Sequence, residues 1–363
     1  MSALEFWSGK RVLVTGNTGF KGSWLTIWLS ILGAQVQGYA DCVPTTPSAW
    51  HLMRLNKHVG TTWGDVREFE AVQKAVTAFD PDVLFHMAAQ PFVRRSYTAP
   101  LETISTNVLG TANILQAARD ALSLRVIVNV TSDKCYEHEP ASMPFREAMP
   151  MGGADPYSAS KGCAELVATA FSRSFFDSPD KAAVVSVRAG NVIGGGDWGE
   201  DRLVPDLMRA AQSGVATHLR SPTATRPWQH VVNPLDGYLQ LAEQAWKDRA
   251  FIGGWNFGPG LDQVATVLDV ATGVQDRWNT TNLLFTYAHD DLFFSDYHEA
   301  ATLSIDSNKA LQELGWSPKW NLTATLDNTV AWYHEAARST DMGDFSISQI
   351  QSYCDMANVE RTA

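Results

Sequence analysis

Val12-Leu13-Val14-Thr15-Gly16-Asn17-Thr18-Gly19-Phe20-Lys21-Gly22 is a short apolar run that ends in a glycine-rich turn. Helical spacing follows at once, with Trp24, Leu25, Trp28, Leu29 and Leu32 on one face and Gly33 placed to end the helix. A strand, a tight glycine turn and a helix in this order form a site for a pyrophosphate. The glycines let backbone approach the anion, and the helix N-terminus supplies partial positive charge. The motif predicts contacts from Gly16, Thr18, Gly19, Phe20 and Gly22 to a dinucleotide.

Working outward, Gln35–Ala40 reads as a second strand ending at Asp41. A helix is expected near Glu68–Phe79, a strand over Val83–His86, a helix near Ile104–Ala121 and a strand over Val126–Val130. Another helix starts near Pro156, and Ala183–Arg188 is a further strand. Strands separated by helices of this length imply right-handed crossovers. The predicted fold class is therefore α/β, a doubly wound parallel sheet of Rossmann type. After Arg188 the pattern breaks at Gly194-Gly195-Gly196 into short elements rich in Pro, Trp and Gly. The expected division is a dinucleotide-binding domain over residues 1–190 and, over 191–363, a smaller discontinuous substrate lobe with segments returning to the first domain. The tail after Ser339 reads as weakly helical.

A carboxylate at Asp41 would bond ribose hydroxyls and repel a 2′-phosphate, which favours NAD over NADP. A solvated loop aspartate is the alternative there. Asp65 and Val66 lie where a third connection would pass the adenine, although Asp65 would also serve as a helix N-cap. Ala88, Ala89 and Gln90 end another strand beside the cofactor, and His86 before them reads as structural.

Composition narrows the class. Hydrophobic residues make up 45% and charged residues 18% of 363, enough for a sizeable core. The net charge of -11 argues against nucleic-acid or membrane-surface partners. Cys42, Cys135, Cys163 and Cys354 form no CxxC pair, so no metal is expected, and the thiols suit a reducing compartment. Met1–Lys10 has no basic region leading into an apolar run, and no apolar stretch approaches a membrane span. A cytoplasmic protein is expected.

Asp155-Pro156-Tyr157-Ser158-Ala159-Ser160-Lys161 carries the chemistry. Asp155 suits an N-cap and Pro156 a first helical residue. Tyr157 and Lys161 then share one helix face. An ammonium near the phenol, with a positively charged nicotinamide, is expected to lower the tyrosine pKa. Such a tyrosine can take a hydroxyl proton while hydride leaves the same carbon.

With these segments in place, the chain from Lys10 to about Trp320 resembles the extended short-chain dehydrogenase/reductases. Thr131-Ser132-Asp133-Lys134-Cys135-Tyr136 resembles the strand end of the sugar-nucleotide 4,6-dehydratases, and its Ser-Asp-Lys variant is similar to the CDP-glucose 4,6-dehydratases. Ala89–Arg94, Arg226–Val231, Tyr297-His298-Glu299-Ala300 and Leu314-Gly315-Trp316 share that similarity. The resemblance implies NAD, a CDP-glucose substrate and a homodimer or higher oligomer. It also implies a product destined for deoxysugars of surface polysaccharide.

The same resemblance implies that Tyr157 deprotonates the hydroxyl on carbon 4, Ser132 binds that oxygen and Lys161 holds tyrosine and ribose. Asp133 would protonate the leaving hydroxyl on carbon 6. Lys134 stands where relatives have a glutamate base. It would act on carbon 5 only with a pKa reduced from about 10.4 towards about 7–8, or else would stabilise the enolate as a cation. On the substrate side the expected contacts are Arg94, Asn191, Arg202, Arg226, His230, Tyr297 and His298, with Arg209 less defined and Trp198 and Trp228 as either pocket wall or core. A 4-epimerase or reductase of the same family would share Tyr157 and Lys161 but would not need Asp133 and Lys134. A non-catalytic NAD-binding protein could dispense with Tyr157 and Lys161.

Overall fold

A computed structural model describes residues 3–137, 143–278, 282–287 and 302–360. Seven parallel strands form the central sheet: β1 Arg11–Thr15, β2 Gln35–Ala40, β3 Gly60–Trp63, β4 Val83–His86, β5 Val126–Val130, β6 Ala183–Arg188 and β7 Gly253–Asn256. Their spatial order is β3-β2-β1-β4-β5-β6-β7. The order reverses between β1 and β4, and in doubly wound sheets ligands bind at the carboxyl ends of strands beside that reversal. Every residue of β4, β5 and β6 is buried. Helices cover both faces, which accounts for strands that are continuously apolar rather than alternating.

The helices that matter for the site are α1 Phe20–Ile31, α2 Phe69–Phe79, α3 Gly110–Ala118, α4 Pro156–Phe175, α5 Leu203–Ser213, α6 Val232–Lys247, α7 Leu322–Ala336 and α8 Gly343–Glu360. Gly33 closes α1 with φ +79°, a conformation that costs glycine little. At the start of α4, Asp155 Oδ1 accepts from Ser158 N at 2.9 Å and Pro156 takes the first helical position, as the sequence predicts.

Three features depart from expectation. β3 and β7 are strands the sequence reading lacks. Gly-Thr-Thr-Trp and Gly-Gly-Trp-Asn have no apolar run, because both lie at sheet edges. The single helix expected near Ile104–Ala121 is a short helix Pro100–Ile104, a π-helical turn Ser105–Leu109 and then α3. The tail is a full helix, α8. Tyr353 on it stacks edge-on to Trp28 of α1 and to Trp320, with ring centroids 6.0 and 5.5 Å away. No helix among the described residues is long and apolar enough to cross a membrane.

Candidate active site

A cavity of about 510 Å³ opens at the carboxyl ends of the strands. The turn after β1 forms one wall. Gly16 has φ +68°, and a Cβ there would stand 2.8 Å from Ala88 N. A Cβ on Gly22 would stand 2.1 Å from Gly16 O. Neither position admits a side chain, so the turn is tight enough to bring backbone N–H groups to the cavity. Thr18, Gly19 and Phe20 line the same wall, with Asp41, Val66, Ala88 and Ala89 beside them. This glycine cradle and the carboxylate at Asp41 fit a dinucleotide without a 2′-phosphate.

Two of the expected cofactor residues behave differently. Asp65 lines the cavity, but its carboxylate is held by Arg67 through the backbone N–H at 2.8 Å and through the guanidinium. That hydrogen bond holds its pKa below the usual carboxylate range. It is not the N-cap of α2, where Glu68 stands. Gln90 is a correction: its side chain turns away from the cavity. Its Nε2 donates to Phe92 O and Thr103 Oγ1, and its Oε1 accepts from Phe92 N. A buried amide needs those partners, which leaves nothing to offer a ligand.

His86 is structural, as read from the sequence. It is buried between Thr15 and Thr111, at 2.8 and 3.1 Å. Thr111 gives its own proton to Asn107 O, so His86 Nε2 must donate and Nδ1 must accept from Thr15. Thr15 Oγ1 in turn accepts from Met87 N and Ala88 N, which pins the strand end beside the turn.

Ser132, Asp133, Lys134, Tyr157 and Lys161 all line the one cavity. Ser132 Oγ donates to Asp133 Oδ1 at 3.0 Å, and its Oγ accepts from Lys134 N. Asp133 is 3% exposed, and its Oδ2 has no hydrogen-bond partner among the described residues. A buried lone carboxylate oxygen of this kind suits proton transfer with a ligand. Gly190 makes room for it, since a Cβ there would lie 2.3 Å from Asp133 Oδ2.

The electrostatics at Tyr157 run against expectation. Burial pushes the phenol up to about 12, and a hydrogen bond with Ser132 is the main opposing influence. The lowering expected from Lys161 does not dominate, because Lys161 is itself pushed down to about 8 by burial. Lys21, to which the sequence reading gave no role, also lines the cavity. It is pushed down to about 8 by burial and the charges of Lys161 and Arg202.

On the substrate side Arg94, Asn191, Arg202 and Arg226 line the cavity. Arg202 is held by Asp197 at 3.0 Å, and Arg226 Nη1 donates to Thr225 O at 2.8 Å. Arg94 and Arg220 share Asp201, at 3.4 and 3.2 Å. Trp198 and Trp228 serve in both ways, lining the cavity while only 5% exposed. Arg209 pairs with Asp206 and with the carbonyls of Trp198 and Gly199, outside the cavity lining.

His230 is a second correction. It is fully buried between Trp24 and Trp320, its Nδ1 accepts from Val232 N, and burial pushes its pKa down to about 3. A neutral core imidazole cannot meet a diphosphate. Tyr297 and His298 lie outside the described residues.

Asn107 is a residue the sequence reading missed. From the π-helical turn its Oδ1 accepts from Gln90 N at 2.8 Å, and its Nδ2 donates to Gln90 O and to Ser160 Oγ at 3.1 and 2.8 Å. It ties the end of β4 to α4, three residues past Tyr157. A buried asparagine in an apolar helical pattern was the available signal.

The model of the GDP-mannose 4,6-dehydratase family matches residues 13–329. The chain belongs to that family. Among its relatives, a CDP-glucose 4,6-dehydratase of Salmonella typhimurium is 46% identical over 356 residues, covering 96% of this chain and 97% of its own. A probable dTDP-glucose 4,6-dehydratase of Sinorhizobium fredii is 26% identical, covering 90% of this chain and 93% of its own. Among solved structures, an epimerase of Methanothermobacter thermautotrophicus superposes with a TM-score of 0.79 at 23% identity, covering 93% of this chain and 95% of its own. A dTDP-glucose 4,6-dehydratase of Bacillus anthracis, solved in complex with NAD, gives 0.75 at 20% identity, covering 91% and 98%. The family's dehydratases and the epimerase share this fold.

Proposed function

We propose that the protein is an NAD-dependent hydro-lyase that converts CDP-D-glucose to CDP-4-dehydro-6-deoxy-D-glucose. The observation that carries this reading is the convergence of Ser132, Asp133 and Lys134 with Tyr157 and Lys161 on one cavity wall. Oxidation at carbon 4 alone needs a base such as Tyr157. Loss of water across carbons 5 and 6 needs a further acid and base, and Asp133 and Lys134 stand ready for those roles. The similarity to the Salmonella typhimurium relative supports cytidine as the base.

The glycine turn and Asp41 would hold NAD, whose chemistry when bound would be the reversible acceptance of a hydride. With the positive charge of a bound nicotinamide offsetting the burial of its phenol, Tyr157 would remove the carbon 4 hydroxyl proton, and Ser132 hydrogen-bonds that oxygen. Lys161, whose proton is loosened by burial, orients the ribose. The new ketone acidifies carbon 5. Lys134 takes that proton or stabilises the enolate, while Asp133 protonates the departing carbon 6 hydroxyl. Arg226, Arg202 and Arg94 offer forked donors to the diphosphate. A two-fold partner would cover Leu101, Ile104, Leu109 and Leu166, which are 80%, 46%, 49% and 59% exposed along the helices flanking β4 and β5. The four free thiols support a reducing, cytoplasmic setting.

The test is mass spectrometry after incubation of the protein and NAD with CDP-, dTDP-, GDP- and UDP-hexoses separately. Loss of one water from CDP-glucose alone, without net NADH, is expected. A change of configuration or oxidation state without water loss would replace this reading with a 4-epimerase or reductase.

A further inference from the structure

Behind the cavity, five buried polar side chains form one connected unit to which the mechanism above assigns no part. Glu165 stands one helical turn beyond Lys161 on α4, and Arg188 ends β6; they are 3% and 4% exposed. Arg188 Nε and Nη2 donate to Glu165 Oε1 and Oε2 at 2.8 and 2.9 Å, a two-pronged pair. Glu165 Oε1 also accepts from Thr131 Oγ1 at 2.5 Å. Arg188 Nη1 donates to Tyr136 OH at 2.6 Å, and that hydroxyl donates to Asn256 Oδ1 at 2.7 Å.

The connections are selective. Thr131 immediately precedes Ser132. Tyr136 follows Cys135 at the other end of the same short turn. Glu165 belongs to the helix that carries Tyr157 and Lys161. One ion pair thus grips both ends of the segment bearing Ser132, Asp133 and Lys134 and, in the same contact, the helix bearing the other two cavity groups. Glu165, Arg188 and Tyr136 do not line the cavity. A buried ion pair adds little net stability over a well-packed apolar cluster, so geometry is the property it supplies best.

We infer that Glu165 and Arg188 are positioning residues: their ion pair sets the register between the Ser132–Lys134 turn and the Tyr157–Lys161 helix face. Its two arms to the turn are the Thr131 and Tyr136 hydroxyls. Proton transfer depends on the relative placement of donor and acceptor, while ground-state binding tolerates small shifts better. Loosening an arm therefore lowers kcat and spares KM. The kinetic part of this inference rests on the dehydratase reading above, and the structural part does not.

The experiment uses Thr131→Val and Tyr136→Phe, which remove one hydroxyl each and keep the ion pair, alone and combined. Hydrogen exchange on the full chain reads the backbone amides of the turn and of the first turns of α4. Faster exchange in both segments, with the rest of the sheet unchanged, is the expected result. On CDP-glucose each single variant should lose about tenfold in kcat with KM within about twofold, and the double variant should lose more. Glu165→Gln, if folded, should reproduce the double variant. Wild-type exchange in all variants overturns the inference, as does a fall in stability with kcat unchanged. If the wild type itself removes no water from CDP-glucose, the functional reading fails on its own, and the exchange data still decide the positioning role.

Discussion

Trp332 lies so close to Gly195 that a Cβ added to the glycine would stand 2.0 Å from Trp332 Cγ. On the other side, Trp24 Nε1 donates to Gly195 O at 2.9 Å. The glycine run is therefore clamped between α1, which starts at the dinucleotide turn, and α7. Gly195→Ala should destabilise the protein by about 1–3 kcal/mol through overpacking. It should also raise KM for the nucleotide sugar, since Asp197 and Trp198 follow directly. Denaturant unfolding measures the first effect and steady-state kinetics the second. Trp332→Leu in the same chain should restore part of the stability. An unchanged unfolding midpoint in Gly195→Ala would contradict the contact.

Tyr157 and Asp133 serve separate steps and should fail separately. Tyr157→Phe should slow oxidation at carbon 4 by about 10²–10⁴-fold. Asp133→Asn should leave that oxidation largely intact and block water loss, so that enzyme-bound NADH accumulates on adding CDP-glucose. NADH absorbance in a single turnover distinguishes the two variants. Normal product formation by Asp133→Asn would remove it from the acid role.

His86 and His230 should remain neutral well below the ordinary histidine range. Burial holds both down to about 3, against about 6.5 in an unfolded chain. The unfolded state therefore takes up protons as pH falls from about 6.5 towards about 3, while the folded state does not. Stability from this source is fully present above about pH 6.5 and is lost through that window. Imidazole NMR signals of these two residues should stay flat from about pH 8 to about pH 5. A midpoint near 6 for either would contradict its burial.

The C-terminal helix should be essential to stability. Tyr353 is fully buried against Trp28 and Trp320, and its hydroxyl donates to Asp236 Oδ2 at 3.4 Å. Tyr353→Ala should cost about 3–5 kcal/mol, as expected for emptying a large aromatic site. Because Trp28 is on α1, NAD affinity should weaken as well. Calorimetry and NAD titration check both, and a loss below about 1 kcal/mol would mean the helix is only loosely docked.

Much of this architecture was legible because it is written locally. β4, β5 and β6 were legible as largely apolar runs, since these strands are buried on both faces. β3 and β7 were not legible, because an edge strand is held by backbone pairing that leaves little mark on side-chain type. The π-helical turn was hidden for a related reason. Helical periodicity is blind to one inserted residue, yet that turn is what aims Asn107 at Gln90 and Ser160.

The same division runs through the site. The glycine turn and the pair Tyr157 and Lys161, read together with the alternating strands and helices between them, pointed to a dinucleotide fold and an oxidation chemistry, because each motif is completed within one turn of chain. Only the tertiary structure decided that His230 is core, that Gln90 faces inward, and that burial rather than Lys161 governs the Tyr157 phenol. Those outcomes depend on which distant residues exclude water from each group. Desolvation is a property of the assembled surroundings, and no local pattern encodes it.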